Sequence, residues 1–366
     1  MSANGRKLSI IYLVRVPLQS ISGGTRVIMY HVNALVGLGH EVEIWVPPGF
    51  GSPSYFQTDA LIREVDFQTG EVFREFDDSA LSELSNVDIL VMTDLSLLPL
   101  VSPHRQKPGT FMLLQHDLAY LYDLRDMADG VASLIQEYRD YLQTTCKIIV
   151  ISDWIKDATK TKLGLTSYVV RNGVDKTIFH PDPEPLIRSE QPLALIFYDP
   201  QPWKGFTDLV AALLGVKQHF PGLRIAIISQ GYPVAPAAGV WASFGFPVIY
   251  FDRPDQRDMA KVYSSATVFV SASWEEGFGL PGLEAMACGV PVVTTDSGGV
   301  REYAVPDETA LVTPPRDIPS LTEAILRVLR DEVLRTKLRD NGLKKARQFD
   351  WNRGIKKLEA PFRQNV

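Results

Sequence analysis

The chain has 366 residues, 45% hydrophobic and 22% charged, enough for two globular domains with separate cores. The formal net charge of -6, with the acid excess in the first half, gives no support to nucleic-acid binding or to a basic face for anionic lipid. Two cysteines, Cys146 and Cys288, without a C-x-x-C, argue against a disulfide framework or a thiolate zinc site and fit a reducing compartment.

Strand-like and helix-like segments alternate from end to end, which predicts parallel sheets covered by helices. The apolar run Leu8–Val14 predicts a first buried strand; it is too short for a signal peptide and Arg15 ends it. Gly23-Gly24 interrupts the chain, Arg26–Leu38 predicts a helix and Glu41–Val46 a strand. Val87–Met92, Thr110–Gln115 and Lys147–Val150 are further expected strands, and Ser152 is the expected N-cap of a helix Asp153–Leu163. Tyr168–Val170 closes this half. The proline-rich run from His180 to Pro192 reads as a linker. A second sheet is expected from Leu193–Phe197, Leu223–Ser229, Val248–Phe251, Thr267–Ser271 and Val290–Thr294. Helices follow at Ser320–Arg330 and Glu332–Arg347, with a final short one at Trp351–Phe362. No apolar run approaches the roughly 20 residues of a spanning helix, so a cytoplasmic location is expected.

The most informative stretch is Glu276-Gly277-Phe278-Gly279-Leu280-Pro281-Gly282-Leu283-Glu284. It places two acids in an E-x7-E spacing, the first in a glycine-rich loop past a strand and the second inside a helical run. Open α/β sheets bind ligands past the carboxyl ends of strands, and the N–H groups at a helix start suit a phosphate. A carboxylate in the helix can accept from ribose hydroxyls, which suggests a nucleotide-sugar site.

This stretch, followed by Gly298-Gly299-Val300-Arg301-Glu302, resembles the donor-site motif of retaining glycosyltransferases of family 4, strongest from Tyr250 to Pro314 and running over nearly the whole chain. The resemblance implies the GT-B fold, two Rossmann-like parallel-sheet domains facing across a cleft. The first domain, 1–178, would be the acceptor side; the second, 179–349, would be the nucleotide-sugar side; and the tail 350–366 would pack back on the first. It also implies roles. Glu276 would stand beside the transferred sugar and Glu284 on the ribose, with backbone N–H groups of Phe278, Gly279 and Leu280 offered to sugar and phosphate. Lys204, in Lys204-Gly205 after a strand, matches the family lysine that contacts the diphosphate. Gly23 and Gly24 match a family glycine pair near the donor, and His116 a histidine that touches the sugar near the reacting carbon. Arg171-Asn172-Gly173-Val174-Asp175 resembles a structural hinge motif of the family.

One position departs from the pattern: the family arginine five residues before the lysine is Asp199 here. Arg253 and Arg301 are the candidates for a second cation by position. No D-x-D, H-E-x-x-H or P-loop occurs, and no Rossmann G-x-G-x-x-G follows the first strand, so no metal, nicotinamide or other cofactor is expected. The expected activity is metal-independent, retaining transfer of a hexose from a nucleotide sugar, by preference a UDP-sugar. The acceptor would be a hydroxyl of a saccharide or glycoconjugate, as in polysaccharide biosynthesis. A nucleotide-sugar epimerase and a non-catalytic nucleotide-sugar-binding protein are the alternatives.

Overall fold

A computed structural model describes residues 6–14, 23–46, 73–75, 80–117, 133, 135–181, 184–230, 241 and 243–366. Arg15 and two linker residues, Asp182 and Pro183, lie outside the described residues. The chain divides into two compact units, Met1–Asn172 with Trp351–Val366, and Gly173–Asp350.

The first unit opens with β1 (Ser9–Leu13), α1 (Gly23–Gly37), β2 (Glu41–Val46) and β3 (Phe73–Glu75), then β4 (Ile89–Met92) and α2 (Leu98–Val101). It continues with β5 (Thr110–Leu114), α3 (Arg139–Thr144), β6 (Cys146–Val150), α4 (Asp153–Leu163) and β7 (Ser167–Val169). Its seven strands lie in the order β3-β2-β1-β4-β5-β6-β7, and every pairing is parallel. Ile10–Leu13, Ile89–Met92 and Phe111–Leu114 are buried almost throughout, as expected of strands covered on both faces. Ser152 caps α4 as expected, accepting from Ile155 N at 3.2 Å, and Gly164 ends the helix in the left-handed region at φ 68°.

The second unit contains β8 (Leu193–Tyr198), α5 (Phe206–Lys217), β9 (Arg224–Ser229), β10 (Val248–Asp252) and α6 (Gln256–Ser265). β11 (Val268–Ser271), α7 (Leu280–Ala287), β12 (Val292–Thr295), β13 (Leu311–Thr313), α8 (Ile318–Arg330) and α9 (Glu332–Ala346) follow. The sheet order is β10-β9-β8-β11-β12-β13, again all parallel. In both sheets the chain leaves the first central strand in one direction and returns on its other side. The reversal falls between β1 and β4 in the first unit and between β8 and β11 in the second. These are the switch points at which doubly wound sheets bind ligands. α10 (Trp351–Gln364) returns to the first unit. Trp351 stacks on Tyr30 of α1 with ring centroids 4.4 Å apart, and Phe362 meets Phe111 of β5 at 4.8 Å.

Two expectations need correction. α1 begins at Gly23, so the glycine pair forms its first turn instead of a break before it. A glycine there has no side chain of its own to stand over the first-turn N–H groups. β3 and β13 had no expected counterparts, each being three residues on a sheet edge.

Candidate functional site

Two loops meet at the switch point of the second sheet. β8 runs into a short 3-10 turn, Pro202–Lys204, and then into α5. Gly205 makes that turn possible: its φ is 63°, and a Cβ there would lie 2.0 Å from Ala272 O, just past β11. This close approach places Lys204 beside the β11–α7 loop. Lys204 Nζ donates to Glu276 Oε1 at 2.8 Å, and Ser273 Oγ donates to the same oxygen at 2.8 Å. The backbone of Glu276 is fixed as well, its N–H on Ser297 O and its carbonyl accepting from Gly299 N, both at 2.8 Å. Thr295 Oγ1, at the end of β12, donates to Ser273 O.

Both charges of the pair are largely covered, with side-chain exposures of 24% for Lys204 and 17% for Glu276. Burial works against the lysine ammonium. The charge and hydrogen bond of Glu276, with Asp199 and Glu275, outweigh it and hold Lys204 above the ordinary lysine range. Asp199 is pushed up, mainly by burial. The Gln201 N–H, which its Oδ1 accepts at 2.9 Å, and the charge of Lys204 act the other way. A carboxylate at this position is thus turned into a local backbone turn and offers no cation.

The second acid of the spacing lies inside α7. Glu284 is 3% exposed and accepts from Tyr263 Oη of α6 at 3.0 Å. α7 begins at Leu280 after Gly279, whose φ is 78°, with no side-chain cap. Pro281 has no N–H and Gly282 N donates to Gly279 O at 3.1 Å, so the helix-start group left for an anion is the Leu280 N–H. Tyr303 braces this start: its hydroxyl donates to Gly279 O at 2.5 Å, and a Cβ on Gly282 would come within 2.4 Å of Tyr303 Oη. The Phe278 side chain belongs to the core, 2% exposed, with its ring 5.9 Å from those of Tyr303 and Phe349.

The structure therefore brings Lys204, Glu276 and the start of α7 at Gly279 and Leu280 to one strand-end cluster, with Glu284 one helix turn into the protein. It treats the two arginine candidates differently. Arg301 forms a two-pronged pair with Asp296, at 2.7 and 2.8 Å, and so offers a largely neutralised group. Arg253 follows β10 on left-handed backbone, φ 47°, with its side chain half exposed and 3.7 Å from Asp252. In the first unit, Gly24 O accepts from Gln115 Nε2 at 3.2 Å, which joins the glycine pair of α1 to the end of β5; His116 follows, exposed. Its neighbour Asp117 is buried and paired with Lys162 at 2.8 Å. Among the described residues no group of three or more His, Cys, Asp or Glu is placed to hold a metal.

Reading the residues alone missed Ser273, Tyr263 and Tyr303. Ser273, three before Glu276, and the small residues Gly279 and Gly282 facing one bulky side chain were readable signals for the first and third. Nothing local marks Tyr263, which reaches Glu284 only through the packing of α6 on α7.

Sheet order and strand-end site define the chain as a two-domain α/β protein of the GT-B type. A family model described as glycosyl transferases group 1 matches residues 182–345, most of the second unit and under half of the chain. O-antigen chain mannosyltransferase B of Escherichia coli is 42% identical over 98 residues, 27% of this chain and 25% of that protein. The phosphatidyl-myo-inositol mannosyltransferase of Mycobacterium leprae is 28% identical over 211 residues, 56% of this chain and 55% of that one. The chain thus spans between a quarter and about half of the length of these curated relatives. Anabaena HepE in complex with UDP-glucose superposes with a TM-score of 0.76 at 16% identity, over 96% of this chain and 99% of that one.

Proposed function

We propose that the protein is a retaining glycosyltransferase of family 4, moving a hexose from a UDP-sugar to a hydroxyl of a saccharide or glycoconjugate without a metal. The observation that carries the reading is the 2.8 Å pair of Lys204 and Glu276 at the sheet switch point, beside an uncapped helix start. A diphosphate leaving group gains negative charge as the sugar departs. Lys204 and the Leu280 N–H at the start of α7 are aimed to meet it. Glu276, exchanged from lysine to sugar hydroxyl as the donor enters, orients the sugar. Glu284 holds the ribose. The C1–phosphate bond breaks and the C1–acceptor bond forms on the same face of the sugar. The acceptor proton passes to the leaving phosphate oxygen, so positioning and electrostatics carry most of the rate. The acceptor is assigned to the first unit.

The UDP preference is supported by the fold shared with HepE, whose structure holds UDP-glucose. The transferase reading is supported by the mannosyltransferases among the relatives. The reading requires no bound cofactor, since the nucleotide sugar is a substrate. No described helix is long and apolar enough to cross a membrane. The test is a thermal-shift panel of nucleotide sugars. Ligand at 100 times its dissociation constant adds about 2.7 kcal/mol of stability. The best donor is then offered to saccharide acceptors and the anomeric configuration of the product read by NMR. An inverted product would refute the retaining mechanism, and release of UDP with a rearranged sugar and no acceptor would point to an epimerase.

A further inference from the structure

The loop between β11 and α7 carries a side chain that the proposed chemistry does not use. Trp274 lies two residues before Glu276, and its backbone N–H donates to Trp203 O at 2.6 Å, next to Lys204. Its indole Nε1 donates to Asp208 Oδ2 in the first turn of α5 at 2.7 Å. The guanidinium of Arg316 lies over the indole, its Cζ 3.9 Å from the ring centroid. Arg316 follows β13, so segments that follow β8, β11 and β13 converge on one ring. Arg316 also holds a φ of 65°, a left-handed conformation that glycine adopts without steric cost and arginine does not. An exposed cation–π contact is no larger than that cost. For folding alone, then, arginine is no better than glycine here. Backbone strain that a protein retains clusters at positions where it serves a site.

We propose that Arg316 and Trp274 are positioning residues: the stacked guanidinium pins the indole, and the pinned indole fixes the spacing of Lys204 and Glu276. The backbone of Trp274 is the link, joined to Trp203 beside the lysine and continuous with Ser273 and Glu276 on the other side. The predicted effect on turnover rests on the glycosyltransferase reading; the predicted effect on the ion pair does not.

The test uses the full chain with Arg316→Gly, Arg316→Lys, Trp274→Phe and the double variant Arg316→Gly/Trp274→Phe. In the first arm, an amine-acylating ester is applied at alkaline pH. Modification of Lys204 is followed by peptide mass spectrometry against the exposed Lys357. Loosening the pair should speed acylation of Lys204 by about threefold or more in each single variant, with no further gain in the double variant because both act through one ring. Arg316→Lys should behave like Arg316→Gly, since an ammonium cannot lie flat on the indole. The thermal midpoint of Arg316→Gly should stay within about 2 °C of the parent or rise. An unchanged acylation rate, gains that multiply in the double variant, or a midpoint that falls in step with the rate overturns the proposal. In the second arm, sugar transfer by Arg316→Gly should show kcat lowered about fivefold with donor KM within about twofold. Faster acylation with unchanged kcat overturns the catalytic consequence. A parent protein that transfers no sugar overturns the glycosyltransferase reading, while the acylation arm still decides the brace.

Discussion

Arg105 in the first unit and Lys204 in the second are covered cations used in opposite ways. In the first unit Arg105 is 1% exposed, and its guanidinium donates to the carbonyls of Leu84, Val87, Asp88 and Gly109 and to Thr110 Oγ1. It knits the segments that lead into β4 and β5. In the second unit Lys204 is partly open and is hydrogen-bonded to one carboxylate, that of Glu276, which also accepts from Ser273. A cation whose donors are all engaged by its own chain is structural. A cation paired with one carboxylate can change partners when a stronger anion arrives. The strand ends differ in the same sense. The loops after β8, β11 and β12 are bonded to one another around Glu276, as a preorganised site for developing charge requires. Among the described residues of the first unit, the glycine pair of α1 meets the end of β5 through a neutral 3.2 Å bond from Gln115.

Exchanging the two cations breaks this comparison most sharply. Lys204→Ala should lower kcat by about 10²-fold or more, the scale of one lost transition-state contact, with a small change in stability. Arg105→Leu should do the reverse, lowering stability by about 3 kcal/mol or more because several buried carbonyls lose their partners, while the folded fraction keeps its kcat. Urea denaturation and steady-state kinetics on both variants decide; full activity in Lys204→Ala would place the diphosphate elsewhere.

A smaller effect separates the two acids. Glu276→Gln should lower kcat about tenfold or more, because its partner changes charge during reaction. Glu284→Gln should chiefly raise donor KM, also by about tenfold, since a buried ribose contact is alike in ground and transition states. Equal rises in KM with kcat intact in both would remove Glu276 from the reacting centre.

The third test concerns the first unit. His31 is buried on α1, with Tyr12 Oη 3.4 Å from its Nδ1, and burial lowers its pKa from 6.5 to about 4. The unfolded chain therefore binds a proton that the folded one refuses between these values, and stability falls as pH drops through this window. At pH 5.5 the loss should be about 1 kcal/mol. His31→Leu should flatten that limb in denaturation curves measured across the window, and an unchanged limb would show that other groups set it. Lys204 has the opposite sign: its value is raised, so the stabilisation by its pair holds through neutral pH and fades only as pH rises past the ordinary lysine range. The smallest expected effect is that of EDTA, which should leave sugar transfer intact; complete, metal-reversible loss of turnover would assign the leaving-group charge to an ion instead of Lys204 and the start of α7.

Much of this protein follows from local pattern. Alternating apolar strands and amphipathic helices set parallel sheets, the E-x7-E spacing put one acid in a loop and the other in a helix, and Ser152 was readable as a cap because these signals act within a few residues along the chain. What the sheets brought together was not readable. The 2.8 Å contact of Lys204 with Glu276 spans 72 positions in sequence, and it exists because β8 and β11 are neighbours at the switch point. The partnership of Glu284 with Tyr263 and the stacking of Arg316 on Trp274 likewise depend on which loops and helices pack side by side. Residue type and spacing determine which chemistry is possible at a strand end. Which charges are neutralised there, and which stay exchangeable, is decided by long-range packing, because electrostatic partners are chosen by distance in space.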